Sequence, residues 1–138
     1  MNRLILRYEF DDTDDFGWLG AEVHTADYSG SGGFWVQWQD VVEFTEKLRQ
    51  YPILPDSPVK GQWGFEMQEG DDLILSMEVA PANSTGDLGV HVALADHIDR
   101  EHRLRTSFLT NYAELASFAS ALSAVMARSA DEAVLVGR

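Results

Sequence analysis

The chain has 138 residues, a length typical of a single domain that can bury a hydrophobic core. Hydrophobic residues make up 45% of it and charged residues 24%, a composition that indicates a folded globular protein rather than a disordered chain. The formal net charge of -13 disfavours nucleic acid and anionic membranes as partners, and the absence of cysteine excludes disulfides, thiolate metal sites and a cysteine nucleophile.

Membrane-spanning and leader segments are not predicted. No stretch approaches the roughly 20 apolar residues that a membrane helix needs. The opening residues, MNRLILRYEF, contain no apolar run of signal-peptide length. We therefore expect a soluble, cytoplasmic protein without a membrane partner.

The first strands of the chain return later as an internal repeat. Residues 4–28 align without a gap on residues 73–97, and ten of the 25 aligned pairs are identical, where average composition predicts about one to three. The identical pairs are Leu4/Leu73, Ile5/Ile74, Leu6/Leu75, Glu9/Glu78, Gly17/Gly86, Leu19/Leu88, Gly20/Gly89, Val23/Val92, Ala26/Ala95 and Asp27/Asp96. After a five-residue insertion, Phe34, Phe44 and Leu48 align with Phe108, Phe118 and Leu122. The repeat predicts a duplicated β-β-β-α unit.

Each predicted strand alternates apolar and polar residues, which is typical of a sheet with one buried face. The apolar positions are Leu4, Leu6, Tyr8 and Phe10; Leu19, Ala21 and Val23; Phe34, Val36 and Trp38; and their counterparts in the second unit. A further strand, QWGFEMQ, places Trp63, Phe65 and Met67 on one side. The pattern predicts about seven strands in a largely antiparallel sheet.

Helix signals follow each triplet of strands. Asp40 is a candidate N-cap for a helix that Pro52 ends, and Asn111 with Glu114 resembles a capping box. Each helix has one apolar stripe, so both are expected to pack on one face of the sheet, which makes the fold class α+β. We expect one domain over residues 1–138, with unit one at about 3–51, a connection at 52–60, the extra strand at 61–68 and unit two at about 72–129.

The acidic loop DDTDDFG superficially resembles a calcium-binding loop. An EF-hand needs a bidentate glutamate at position twelve, but counting from Asp12 that position is Val23, and the aligned segment APANSTG has no carboxylate. We interpret Asp11, Asp12, Asp14 and Asp15 as a solvated hairpin loop that can contact a partner, and we predict no metal and no cofactor.

No catalytic residue is predicted. The glycine-rich stretch SGSGG joins two strands and has no lysine beside it, so it does not form a phosphate-binding loop. The spacing of His24, His91, His97 and His102 does not match a metal site. Glu9 and Glu78 could serve as a carboxylate pair in general acid-base chemistry only if they lie close together and partly buried, and surface pairing explains them more simply.

The sheet face opposite the helices carries the remaining candidate binding residues. Trp18 and Trp35 are out of phase with the apolar face, and tryptophan on a polar surface is enriched at binding hot spots. The polar residues predicted on this face are Glu9, Glu22, His24, Glu78 and His91. Three partners could cover Trp35: another protein, a second copy of the chain, or the C-terminal tail. The pattern leaves the role of that tail open.

Several segments together resemble the small bacterial immunity proteins of the WapI type. They are the opening LILRYEFDDTDDFGWLGAEV, the helix DVVEFTEKL, the aromatic strand WGFEM and the closing helix AELASFASALSAVM. The chain departs from that layout at FWVQWQ and at the helix ends, so no functional residues are carried over. The resemblance implies a non-enzymatic cytosolic protein that binds and neutralises a toxin.

Three functional hypotheses follow from the sequence. The first is a non-enzymatic, acidic interaction module of the immunity or antitoxin kind, which binds a basic protein. The second is a small-molecule-binding domain or minor enzyme with a pocket near Glu9, His24, Glu78 and His91. The third is a domain that forms a homodimer through the same face.

Overall fold

A computed structural model describes residues 1–138 of the chain. It contains eight strands and two α-helices. They are β1 (Asn2–Asp11), β2 (Asp14–His24), β3 (Ser29–Gln37), α1 (Trp38–Lys47), β4 (Val59–Gly64), β5 (Leu73–Pro81), β6 (Leu88–Ala95), β7 (Arg103–Thr110), α2 (Tyr112–Met126) and β8 (Ala133–Gly137). The α+β class and the antiparallel pairing are confirmed.

The strands divide into two four-stranded sheets instead of lying in one sheet of seven. Sheet 1 has the order β3-β2-β1-β8 and sheet 2 the order β4-β5-β6-β7, with all neighbours antiparallel. The eighth strand is the C-terminal segment, whose alternating pattern is too short to distinguish from a tail.

The two halves of the chain exchange one strand. The strand after α1, β4, pairs with β5 of the second half, and the strand after α2, β8, pairs with β1 of the first half. The repeating unit is therefore β-β-β-α-β, and the extra strand predicted between the units is the counterpart of β8. This exchange joins the halves through backbone hydrogen bonds as well as through side-chain packing.

The sequence repeat agrees with the structure in its faces but not in its register. Tyr8 lies opposite Leu19 in the β1–β2 ladder, whereas Met77 lies opposite Val92 in the β5–β6 ladder. Since Val92 aligns with Val23, the second ladder is displaced by four residues. An even displacement returns every side chain to the same face, so the apolar pattern survives it.

Side chains from both sheets and both helices form one buried cluster. The aligned pairs Phe44 with Phe118 and Leu48 with Leu122 are all buried in it. Helix α1 contacts α2, β2, β3 and β4, and α2 also contacts β1 and β8. The core therefore lies between the sheets and the helix pair, where the burial of apolar surface stabilises all layers together.

Two element boundaries differ from the predictions. Helix α1 begins at Trp38, and its N-cap residue is Gln37, whose side chain makes no capping hydrogen bond. Asp40, predicted as the N-cap, lies in the first turn of the helix. Strand β4 starts at Val59 and ends at Gly64, where the Phe65 amide donates to the Asp72 carbonyl and the chain turns. Trp63 is buried as predicted, but Met67 is 64% exposed and does not share its face.

The cap of α2 is confirmed. The side chain of Asn111 accepts a hydrogen bond of 2.9 Å from the Glu114 amide. This bond satisfies one of the unpaired amides at the helix N-terminus. Neither helix is long and apolar enough to cross a membrane.

Candidate interaction surfaces

The acidic hairpin loop, Asp11–Asp15, joins β1 to β2 at one end of sheet 1. Asp11 accepts hydrogen bonds from the Thr13 amide at 2.9 Å and the Thr13 hydroxyl at 2.8 Å. The amide bond, followed by the hydroxyl bond, holds the pKa of Asp11 below its ordinary value. Asp14 accepts from the Phe16 amide at 3.0 Å, so two of the carboxylates organise the turn itself.

An open groove of about 850 Å³ lies beside this loop. Phe10 and Trp38 supply its aromatic walls, and Arg128 is the one cation among its nine lining residues. The Arg128 guanidinium lies 4.2 Å from the centre of the Phe10 ring and 3.4 Å from an Asp12 carboxylate oxygen. The groove therefore accommodates a guanidinium group from within the chain, by a cation–π contact and an ion pair.

Trp38 was predicted in a strand but lies at the start of α1, beside the loop. Its indole nitrogen donates to Asp15 at 3.4 Å, and Gln39 donates to the other oxygen of the same carboxylate at 2.9 Å. The loop is thus attached to the helix N-terminus, where negative charge is favoured by the helix dipole. Strand periodicity assigned Trp38 to the core because β3 ends one residue before it.

Trp18 and Trp35 lie opposite each other on β2 and β3, on the outer face of sheet 1. Their ring centres are 5.0 Å apart, and His97 completes an aromatic cluster at 5.3 Å from Trp18 and 5.0 Å from Trp35. Trp18 packs over Gly33, where an added Cβ atom would lie 2.6 Å from the indole. Trp35 remains 49% exposed, so the cluster is open to solvent on one side.

The C-terminal tail does not cover this aromatic cluster. It forms β8, which pairs with β1 on the opposite side of sheet 1 from β3. Phe16, on the same face of β2 as Trp18, is 48% exposed. Glu9 lies directly opposite Trp18 in the ladder. The structure therefore places Glu9 and both tryptophans on the outer face of sheet 1, together with Phe16 and His97, and places the loop with Trp38 around the groove at the adjoining end of that sheet. The sequence pattern missed Phe16, Trp38 and His97.

Two other predicted binding residues, Glu22 and His24, are occupied by contacts within sheet 1. Glu22 lies 2.5 Å from the His24 imidazole and 3.5 Å from the Arg7 guanidinium, which also contacts Glu132 at 3.0 Å. The hydrogen bond with His24 holds the pKa of Glu22 below its ordinary value. These four side chains form an ion-pair network on the outer face.

Glu78 and His91 lie on sheet 2, not beside Glu9 and His24. Glu78 is the ladder neighbour of both Lys60 and His91. The single pocket predicted from all four residues is therefore wrong, because the strands that carry them belong to different sheets. Glu9 and Glu78 do not form a carboxylate pair for the same reason.

No group of three or more histidine, aspartate or glutamate side chains is placed to hold a metal ion. The histidines of the β6–β7 turn pair locally instead, His102 with Asp99 at 3.3 Å and His97 with Asp96 at 3.9 Å. In the acidic hairpin loop, Asp11 and Asp14 accept hydrogen bonds within the turn, Asp15 accepts from Trp38 and Gln39, and only Asp12 pairs with a cation, Arg128.

Comparison with known proteins finds little that resembles this chain. No protein-family model matches it, and no curated protein matches it significantly. Among solved structures, the chain is similar to WHY3 from Arabidopsis thaliana, with a TM-score of 0.44 and 12% identity over 91% of this chain and 82% of that chain. Because that TM-score is below 0.5, the likeness assigns neither a family nor a function to the chain.

Proposed function

We propose that this protein is a non-enzymatic interaction module of the immunity or antitoxin kind, which binds a basic partner protein. The observation that carries the proposal is that exposed aromatic side chains of the outer face adjoin a dense set of carboxylates at the loop end of sheet 1. The residues of this combined surface are Glu9, Asp11, Asp12, Asp14, Asp15, Phe16, Trp18, Trp35 and Trp38, and we call it the acidic-aromatic surface.

The aromatic part of this surface supplies the contact area. Phe16, Trp35 and Trp38 are 48%, 49% and 40% exposed, so each keeps a large part of its ring in contact with water. Tryptophan and other aromatic residues contribute the largest binding energies at protein interfaces. A partner that covers them would remove apolar area from water without changing the fold.

The charged part of the surface selects the partner. The whole chain carries a formal charge of -13, which attracts a basic protein, and the loop concentrates four of its carboxylates at one place. The position of Arg128, between the Phe10 ring and Asp12, is an internal example of a guanidinium bound by this loop. A partner arginine or lysine would meet the same chemistry at the remaining carboxylates.

The surface is tested with the folded protein and a short arginine- and lysine-rich peptide, followed by tryptophan fluorescence. We expect saturable binding that weakens as salt is added, and that weakens about threefold to tenfold in the D12N/D15N variant. Asparagine keeps the size of each side chain and removes its charge, and at position 15 it also removes one of the two oxygens that accept from Trp38 and Gln39. The matched control is D56N/E69Q, which removes two exposed charges elsewhere and should change binding less than about twofold.

Contact by the aromatic residues is tested separately with W35A and the control Y51A, which removes another exposed aromatic ring. We expect W35A to bind the peptide more weakly than Y51A does. Equal affinities for W35A and Y51A, or equal affinities for D12N/D15N and D56N/E69Q, would contradict the proposed surface. The immunity role itself requires a stable complex with a basic toxin encoded beside this chain. Co-expression that yields no such complex, and no protection from the toxin, would contradict that role.

A further inference from the structure

A second open groove, of about 580 Å³, lies on the outer face of sheet 2. Its floor is formed by short side chains on neighbouring strands, Ser76 of β5 and its ladder partner Ala93 of β6. Lys60, Glu78, His91 and Ser107 form a continuous row across the four strands at one side of this floor. The volume is within the range of sites that bind small molecules.

The groove is cationic although the chain is strongly acidic. Lys60, Arg103 and Arg105 line it, against one carboxylate, Glu78. The chain has 10 basic residues against 23 acidic ones. Arg103 is paired with Asp71, and Lys60 and Arg105 against the single carboxylate of Glu78 still reverse the general balance. At physiological ionic strength the screening length is about 8 Å, so distant carboxylates cancel little of this local charge.

Two of these cations have no partner in the protein. Lys60 and Arg105 take part in none of its ion pairs. Arg103 is held differently, because its guanidinium donates to the main-chain carbonyls of Asp71 at 2.9 Å and Leu73 at 3.3 Å and forms an ion pair with the Asp71 carboxylate at 3.7 Å. One arginine is thus fixed at the groove wall, and a second cation two residues away on the same strand face is free to bind an anion.

The first unit shows that the fold does not require this arrangement. In the repeat alignment, Ser76 and Ala93 correspond to Arg7 and His24. Those two long side chains cover the outer face of sheet 1 and are paired with Glu22 and Glu132. At these two aligned positions, sheet 1 therefore has long, ion-paired side chains where sheet 2 has short ones.

We infer that the sheet 2 groove binds a small hydroxylated organic anion, in which a phosphate ester or a carboxylate contacts Arg105 and Arg103. A guanidinium matches either oxyanion with paired hydrogen bonds. Glu78 repels a molecule that is anionic throughout, and it accepts hydrogen bonds from hydroxyl groups at the other end of the ligand. This site is independent of the acidic-aromatic surface, which lies on sheet 1 and has the opposite charge.

The experiment titrates the full chain by NMR with glucose 6-phosphate, gluconate and glucose at physiological salt. We expect saturable shifts at β5, β6 and β7 with an anionic sugar and none with glucose. The stronger of the two anions identifies the oxyanion. R105Q should weaken binding about tenfold, the loss expected for one charge-assisted hydrogen bond. The control K47Q removes an exposed cation of α1, which pairs with Glu43, and should change binding less than about twofold.

Three results would overturn the inference. They are no saturation with either anion by about 10 mM, equal losses in R105Q and K47Q, and shifts confined to sheet 1. Arg105 contacts no backbone carbonyl, unlike Arg103, so R105Q is expected to keep the native spectrum and the result is interpretable without the Arg103 variant.

Discussion

The outer faces of the two sheets are built from the same repeated strands but present opposite surfaces. Sheet 1 carries an ion-pair network around Arg7 and Glu22, and next to it the aromatic cluster of Trp18, Trp35 and His97. Sheet 2 carries short floor residues and cations without partners, such as Arg105. The comparison teaches that the inward side of each strand keeps its apolar character in both halves, whereas outward positions such as Arg7/Ser76 and His24/Ala93 differ in size and charge.

The inward side is constrained because its residues share one core. The aligned residues Leu6 and Leu19 and their counterparts Leu75 and Leu88 are nearly fully buried. A polar or shortened side chain there would lose apolar burial and leave a cavity in a closely packed interior. No such penalty applies to residues that face water, where most substitutions have small effects on stability.

The largest expected effect concerns Tyr8, an inward residue that the second unit replaces with Met77. The Tyr8 hydroxyl donates to the Val36 carbonyl at 2.6 Å and accepts from the Gly17 amide at 2.9 Å, which ties β1 to β2 and β3. Tyr8→Phe should lower the free energy of unfolding by about 1–3 kcal/mol, because two buried backbone groups lose their partner. Urea denaturation measures it. The control Met77→Leu keeps volume and should cost less than about 1.5 kcal/mol.

The same tyrosine predicts a pH effect. Burial is the main cause that raises the pKa of Tyr8 above its ordinary value of 10.0. The folded state therefore binds this proton more tightly than the unfolded state, so its contribution is complete below pH 10 and is lost as pH rises through the folded-state pKa. The alkaline loss of stability should be smaller in Tyr8→Phe, and an unchanged alkaline profile would contradict the role given to the hydroxyl.

The second prediction fills the sheet 2 groove with a side chain as bulky as those of sheet 1. Ala93→Leu should abolish or weaken anion binding at least about tenfold, because leucine occupies the floor between Ser76 and Arg105. Ala93 is on the outward face, so stability should change by less than about 0.5 kcal/mol. NMR titration with glucose 6-phosphate measures the binding. Undiminished affinity in a folded variant would show that the ligand does not contact the floor.

The third prediction makes the reverse exchange on sheet 1. Arg7→Ser removes the guanidinium from its contacts with Glu22 and Glu132 and substitutes the residue found at the aligned position 76. These pairs are solvent-exposed, so the free energy of unfolding should fall by only about 0 to 1 kcal/mol. Chemical denaturation at low and high salt measures the change. A loss much above this range would show that the network stabilises sheet 1 as the core does.

The smallest expected effect is on the titration of Glu22. Its hydrogen bond with His24 lowers the pKa of the carboxyl below the ordinary value of 4.5. This interaction stabilises the fold above that value and is lost as pH falls through the folded-state pKa. In the His24→Gln variant the Glu22 pKa should rise, as followed by NMR of the side-chain carboxyl carbon. If the Glu22 pKa is the same in the variant, the hydrogen bond between Glu22 and His24 does not hold that pKa down.

Much of the fold was predictable because the strand period is strictly two. Alternation identified the inward residues of β1, β2, β5 and β6, and the Asn111 cap of α2 followed from local hydrogen-bonding chemistry. Trp38 was misplaced because the pattern of β3 runs one residue into α1. Strand β8 was left open because a five-residue apolar segment has no period long enough to identify it.

The candidate surfaces were predictable only in part. The acidic loop was predictable because it separates two alternating segments. Trp18 and Trp35 were predictable because they are large apolar residues at positions where the alternation expects polar ones. His97 and Arg128 could not be associated with them, because each reaches its partner across a tertiary contact rather than along a strand. The cationic groove escaped notice for the same reason, since its cations come from β4 and β7.

The sequence by itself determined the α+β class, the faces of the strands and the existence of two related halves. These properties depend on local period and on apolar side chains that must leave water. Only the tertiary structure decided that the strands form two sheets, that β4 and β8 are exchanged between the halves, and that Glu78 lies apart from Glu9. Strand partners are chosen by long-range hydrogen bonding and packing. The alternating pattern does not specify which strands pair, because every strand with one apolar face fits it equally well.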